Sequence, residues 1–272
     1  MMRSLWTAAS GMKAQQTNVD TIANNLSNVN TTGYKTQQTQ FKTLLYQTMQ
    51  EKTTTANGQQ KPTTAQVGLG TRVGAIDSIY TQGAPMANDS NTALYISGTG
   101  FFGVKGADGG TYYTRNGDFT WAINQNGDRV LADSVGNEVL SQYGTPITMD
   151  PKIGVSDVSF GTGGEIAYKG LDGRYVRTGE SVGLFQFANA VGLEKKGSNL
   201  LAANQVSGPA QNEATTAGIV TSKISQGYLE GSNVNVADEM VNMIIAQRAY
   251  ELNSKAITTS DTMLEEANNL KR

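Results

Sequence analysis

Residues 4–30 read SLWTAASGMKAQQTNVDTIANNLSNVN. Leu5, Met12, Val19 and Leu26 recur every seven residues, and Ala8, Gln15, Ile22 and Val29 follow three residues behind them. All but Gln15 are apolar, which is the pattern of a narrow coiled-coil stripe. Lys, Gln, Thr and Asn fill the remaining faces. The spacing predicts a helix that frays over 28–32 and stops before Gly33. Working outward, Phe41, Leu44, Leu45, Thr48 and Met49 predict a second short helix over 38–50. Residues 52–66, KTTTANGQQKPTTAQ, carry no apolar period and read as a polar extended arm.

The other end of the chain matches the first. Asn235 is placed to cap a helix whose first turn holds Asp238 and Glu239, and Lys271 and Arg272 close it with positive charge. Its apolar residues form two stripes. One is Val236, Met243, Tyr250, Ile257 and Leu264; the other is Ile245, Ala249, Leu252, Ala256, Met263 and Leu270. Ile245 lies about 200° around the helix from Met243, so the stripes face different ways. This predicts one partner inside the chain and another outside it; the alternative is a helix buried on both sides in one globule. Residues 1–48 hold four bases against one acid, and residues 237–272 hold six acids against four bases, so opposite charge favours pairing of the ends.

Between the ends, from 67 to 227, the period shortens to apolar runs cut by turns. Ala93–Ile96, Gly100–Lys105, Tyr112–Thr114, Phe119–Ile123, Arg129–Ala132 and Val182–Phe187 are candidate strands. Asp108-Gly109, Asn116-Gly117, Asn126-Gly127 and Asp172-Gly173 are hairpin-type turns. The fold class is α+β: N- and C-terminal helices paired as a coiled coil, with a central antiparallel β-rich domain. The expected divisions are 1–36 and 228–272 as the helical core, 37–66 as the short helix and arm, and 67–227 as the β domain.

Composition removes most chemistry. The chain of 272 residues has no Cys and no His. That excludes disulfides, thiolate nucleophiles, a Ser-His-Asp triad and the usual zinc sites. The net charge of -2, with no basic block, argues against nucleic acid. No apolar run approaches the roughly 20 residues of a membrane span, and the N-terminus lacks the apolar core of a cleaved signal. Gly98–Gly103 spells GxGxxG, but Val104-Lys105 and an Asp-Gly-Gly turn follow where a dinucleotide fold needs a helix, so two aromatics in a β core are the better reading. Asn124–Asp128 resembles a calcium loop, yet Ala122 and Asp133 stand where the ligating acids belong. Asp108, Asp118, Asp128, Asp133 and Glu138 could supply a glycosidase pair, but most sit in turns, where Asp serves local hydrogen bonds. No catalytic, cofactor or metal residue is expected. A glycan-binding or carboxylate-based hydrolase β domain is the competing class.

Residues 23–35, ANNLSNVNTTGYK, resemble the signature of the axial proteins of the bacterial flagellum, the rod and hook family, and SNVNVADEMVNMIIAQRAYELNSKAITTSDTMLEEANNL (232–270) resembles its closing signature. SGTGFFGV, YTRNGDF and QGYLEGSNV resemble family motifs between them. Length and the opening residues, followed by LLYQT, are most similar to distal rod members, with a proximal rod member of similar length as runner-up. The resemblance implies a structural subunit that polymerises into a hollow shaft carrying torque from motor to hook. It implies terminal helices forming the inner tube, with Leu5, Met12, Val19, Ile22, Leu26, Val29, Val236, Met243, Ile245, Tyr250, Leu252, Ile257 and Leu264 in helix pairing and polymerisation. The family Asn motif falls on Asn24, Asn25, Asn28, Asn30 and Gly33. Phe41 and Leu45 fit an export-gate pattern. Implied partners are further copies of the chain, other rod and hook proteins and the flagellar type III export apparatus. The implied location is the basal body, outside the cytoplasmic membrane, reached without a cleaved signal and without membrane insertion.

Overall fold

A computed structural model describes residues 2–50, 65–124, 127–150, 153–170, 174–216 and 218–270. The protein is α+β, with a helix at each end and an antiparallel β-rich region between. It divides into two compact units. The first holds Met1–Ser27, Gln37–Ser78 and Asn235–Arg272; the second holds Asn28–Thr36 and Ile79–Val234.

The first unit is built on two long helices, α1 (Met2–Ser27) and α2 (Val236–Asn269). They run antiparallel. The Ser4 and Ser260 hydroxyls lie 3.3 Å apart, and Asn25 donates to Glu239 Oε2 at 3.1 Å. Between those points, a Cβ on Gly11 would stand 2.9 Å from the Asn253 amide. The α1 residues advance by seven and fourteen while their partners on α2 retreat by the same steps. The contact line is therefore heptad-spaced, but it runs through Ser4, Gly11 and Asn25, which face Ser260, Asn253 and Glu239 in turn. It sits one residue away from the apolar series Leu5, Met12, Val19 and Leu26, which is left half-buried on the flank. Small residues such as Gly11, Ala14 and Ala246 fill the seam, and Ala246 is only 1% exposed. Asn235 caps α2 as expected, its side chain accepting from Ala237 N at 3.1 Å. Lys271 and Arg272 lie outside the described residues. No ion pair joins α1 to α2 among the described residues, contrary to the charge argument; side-chain amides and hydroxyls make the polar contacts.

The short helix expected over 38–50 is absent. That stretch forms two strands, β1 (Gln37–Thr43) and β2 (Tyr46–Gln50). β3 (Ala65–Gly68) pairs with β2, and β4 (Thr71–Ser78) pairs antiparallel with β1 through a shift at Gln40/Phe41. Thr39, Phe41 and Thr43 alternate with Gln38, Gln40 and Lys42, a period of two that suits a pleated edge better than a helix. Thr39 is buried, and its hydroxyl lies 3.1 Å from that of Thr21 on α1. Ser10 of α1 meets the N–H of Thr71, which completes the packing of α1 on this sheet. Of the expected arm, Ala65 and Gln66 are strand residues; 52–64 lie outside the described residues.

The second unit is organised about strand Phe101–Lys105. It pairs with Thr111–Thr114 across the Asp108-Gly109 turn, where Gly109 has φ +79°, and with Glu138–Val139 and Leu184–Gln186 on its other edge. Hairpin Phe119–Ile123/Arg129–Asp133 extends the same sheet. A separate three-stranded sheet holds Val158–Phe160, Glu165–Lys169 and Tyr175–Ser181. The central strand is covered on both faces, so Phe101 and Phe102 are both buried but in different cores. Phe102 packs edge-on against Phe119 at 5.1 Å within the main cluster of Leu94, Ile96, Leu131, Val139 and Ile147. Phe101 joins Tyr113, Phe185 and Leu193 in the smaller one. The GxGxxG segment thus runs into a strand, as expected. Asn116-Gly117 does not close a hairpin: the strand before it pairs with Phe101–Lys105 and Leu200–Ala202, and the strand after it with Arg129–Asp133.

Three boundaries shift from the sequence expectation. Residues 28–36 and 228–234 belong to the β-rich unit, and 67–78 belong to the helical one.

Candidate assembly surface

The apolar stripes of α2 separate in part. Met243, Ile257 and Leu264 are half-buried towards the seam, beside Ala246 and Ser260. Ile245 is 62% and Leu252 66% exposed, and Met263 and Leu270 share that open face. Met240, Val241 and Ile244 are also exposed on α2, and Trp6 is exposed on α1. These four lay on neither predicted stripe; the run Met243-Ile244-Ile245 was the available signal, since three adjacent apolar residues cannot share one face of a helix. Val236 and Tyr250 are more exposed than the inner stripe requires. Tyr250 and Val19, with Gln16, Gln247 and Glu251, instead line an open groove of about 400 Å³ along the helix pair. Ile22 is buried in the seam, while Leu5, Met12 and Leu26 are half-buried. Val29 falls beyond the end of α1, in a turn of the second unit.

The Asn motif divides by role. Asn25 is fully buried, accepts from Gln37 N at 2.9 Å and donates to Gln37 O at 2.8 Å, so one side chain copies a strand partner while also reaching Glu239. Asn28 Oδ1 accepts from the Thr31 hydroxyl, closing the turn after α1. Asn24 and Asn30 are exposed. Gly33 has φ +69°, and a Cβ there would stand 2.6 Å from Asn116 N, so only glycine fits. Phe41 and Leu45, the expected export pair, lie on β1 and in the link to β2, with Leu45 almost fully exposed.

One buried charge cluster escaped the sequence reading. In the second unit, Glu230 Oε1 accepts from Lys35 Nζ at 2.5 Å and from Gly83 N at 2.9 Å. Its Oε2 faces Arg115 Nη1 at 3.4 Å. Arg115 also donates to Gly98 O at 2.6 Å and lies over the Phe101 ring, 5.2 Å from its centroid. Burial pushes the Lys35 ammonium below its ordinary pKa, against the opposing pull of Glu230. The signal was a single acid between Leu229 and Gly231, inside the QGYLEGSNV motif.

Two of the carboxylates weighed for hydrolysis make local hydrogen bonds. Asp108 accepts from the Tyr112 hydroxyl at 2.5 Å and from Gly110 N, which holds its carboxyl below the usual range. Asp133 is buried and accepts from Ser134 N at 2.6 Å; desolvation pushes its carboxyl up. Among the described residues there is no cluster of three or more acids, Cys or His fit to hold a metal, and no helix long and apolar enough to cross a membrane.

A two-helix base with an outward apolar face, joined in one chain to an antiparallel β unit, defines a protein built for assembly. Comparison with known proteins fixes the class. Residues 5–35 match the flagella basal body rod protein family, 95–168 the flagellar hook protein FlgE/F/G D1 domain, and 225–270 the flagellar basal body rod FlgEFG protein C-terminal family. Over all of both chains, the protein is 44% identical to the flagellar basal-body rod protein FlgG of Borreliella burgdorferi and 37% identical to that of Bacillus subtilis. It is 30% identical, over 97% of each chain, to the flagellar hook-basal body complex protein FlhP of Bacillus subtilis. The chain belongs to the flagellar basal-body rod protein family.

Proposed function

We propose that this chain is a structural subunit of the distal rod, without enzymatic activity, that polymerises with itself and with other rod and hook proteins into a hollow shaft carrying torque from motor to hook. The observation that carries the reading is the open face of α2. Ile244, Ile245, Leu252 and Met263 are exposed on a helix whose other side is already packed against α1. A row of large apolar side chains on a paired helix is a surface awaiting a partner. Neighbouring copies of the same helix pair supply that partner, and the result is a coiled-coil inner tube with the β units outside it. The β2–β3 hairpin, with Leu45, Tyr46 and Met49 exposed, supports an arm reaching an adjacent subunit. Export through the type III apparatus, guided by Phe41 and Leu45 and without a cleaved signal, delivers the chain outside the cytoplasmic membrane.

Deletion of the gene tests this. Basal bodies should then end at the proximal rod, without hooks. Complementation with the wild-type chain should restore them, and with Leu252→Asp it should not. Normal hooks in the deletion strain would refute the assignment.

A further inference from the structure

The backbone enters the second unit at Asn28, leaves it after Thr36, returns at Ile79 and leaves again after Val234. Within that unit, the residues beside the last three of these four points are tied to one another by a single polar cluster. Asn233 Oδ1 accepts from Thr36 N at 2.7 Å and from the Thr36 hydroxyl at 2.8 Å. Its Nδ2 donates to Ile79 O and to the Thr81 hydroxyl, each at 2.8 Å. Ile79 N donates to Thr36 O at 2.8 Å, so segments 33–36 and 79–84 are also joined directly. Lys35 Nζ bridges Thr81 O at 2.8 Å and Glu230 Oε1 at 2.5 Å. Glu230 O accepts from Gly33 N, its Oε1 accepts from Gly83 N, and Gly231 N donates to Ala84 O. Every segment is bonded to both others. Glu230 is 1% exposed, so its charged bonds act at low effective dielectric and their loss strands a buried charge.

We propose that Glu230, Lys35 and Asn233 form a clamp that makes the three crossing segments open only as one unit, and that force passing through the subunit is borne there. Independent single-chain crossings would each yield in turn, whereas a cross-bonded set shares the load. The force-bearing role rests on the rod reading above; the cooperative opening does not.

Amide hydrogen exchange on the full chain free in solution tests the clamp, comparing wild type with Asn233→Ala and Glu230→Gln. Asn233→Ala removes the acceptor of Thr36 N but leaves the bonds of Gly33 and Gly83 to Glu230 in place. The expected result is a loss of protection of about tenfold or more at Thr36, Ile79, Gly33 and Gly83 together, with Leu131 and Ile147 in the β core unchanged. Retained protection at Gly33 and Gly83 would overturn the proposal, because the segments would then be held separately. Equal loss at Leu131 and Ile147 would also overturn it, because the cluster would be only part of the global fold. Glu230→Gln, which keeps the shape and removes the charge, should give the same set of amides. For the force-bearing role, cells carrying Asn233→Ala should swim in dilute medium and fail as viscosity is raised. Equal swimming at both viscosities, or equal failure at both, would overturn that role. Failure of the rod reading would show separately, as intact hooks in the deletion strain.

Discussion

Replacing Ile245 and Leu252 together by Ala should leave the free chain folded and cripple assembly. Full burial of an Ile or Leu side chain is worth about 1.5–3 kcal/mol. These two are 62% and 66% exposed, so about two-thirds of that gain, roughly 1–2 kcal/mol each, is still to be realised when a neighbour covers them. The double variant should therefore lose about 2–4 kcal/mol per subunit added. At about 1.4 kcal/mol per tenfold, the critical concentration for polymerisation should rise roughly 30-fold to several-hundred-fold. Stability of the free chain should stay within about 0.5 kcal/mol, as at other surface sites. Ile22→Ala is the matched control. At 5% exposed in the seam, it should cost about 2–5 kcal/mol of helical-unit stability, as other core truncations do. Sedimentation of polymer against total concentration gives the first quantity, and thermal melts followed at 222 nm give the second. If the double variant melts as early as Ile22→Ala, the face is part of the subunit's own core. If its critical concentration is unchanged, the face is not the assembly surface.

Gly33→Ala should destabilise the second unit by about 2 kcal/mol or more, from the left-handed backbone and the close approach of Asn116 N, seen as a lower denaturant midpoint; a change under about 0.5 kcal/mol would contradict the geometry. Asp133→Asn should change the pH dependence of stability. The buried carboxyl has a raised pKa, so as pH climbs from its unfolded value near 3.8 the unfolded chain releases the proton first and stability falls until the raised native value is passed. The melting temperature of Asp133→Asn minus that of wild type should therefore grow as pH rises from about 4 and level off once the raised native value is passed, and a flat difference throughout would remove burial as the cause. Continued in register, α1 lies opposite α2 only as far as about residue 262, so amides 263–269 should exchange faster than 243–257 in the free chain; uniform protection to the end of α2 would mean the helix has another support.

The helical ends were legible because heptad spacing and a cap are local facts of sequence. The phase of the seam was not. Periodicity points to the most apolar line, and the chain instead joins its helices along Ser4, Gly11 and Asn25, with part of the apolar surface left for other contacts. That choice depends on β1 and β4, which occupy the next face of α1 through Thr39 and Thr71; β1 was read as a helix, and β4 was assigned to the β domain. Over 38–50 the apolar residues fit a period of 3.6, while the Thr–Gln alternation that pairs with Thr71–Ser78 carries little hydrophobic contrast. The β core was legible in strand Phe101–Lys105, but the burial of its two aromatics in separate cores depends on Leu184–Gln186, some eighty residues away. The Glu230 cluster was hidden for the same reason: Lys35, Arg115 and Glu230 are scattered over nearly two hundred residues, and no one of them is unusual alone.

The short segment Asn28–Thr36 has a practical consequence. A β-rich fragment cut as one continuous piece, 79–234, would leave behind Lys35 and Gly33, so that Glu230 would lose one of its two cations. Deleting 37–78 and joining Thr36 to Ile79 through a short glycine bridge respects the geometry, since Ile79 N already lies 2.8 Å from Thr36 O. The β-rich unit of this protein is therefore a spliced molecule, and gene fragments drawn along the primary sequence would misjudge it.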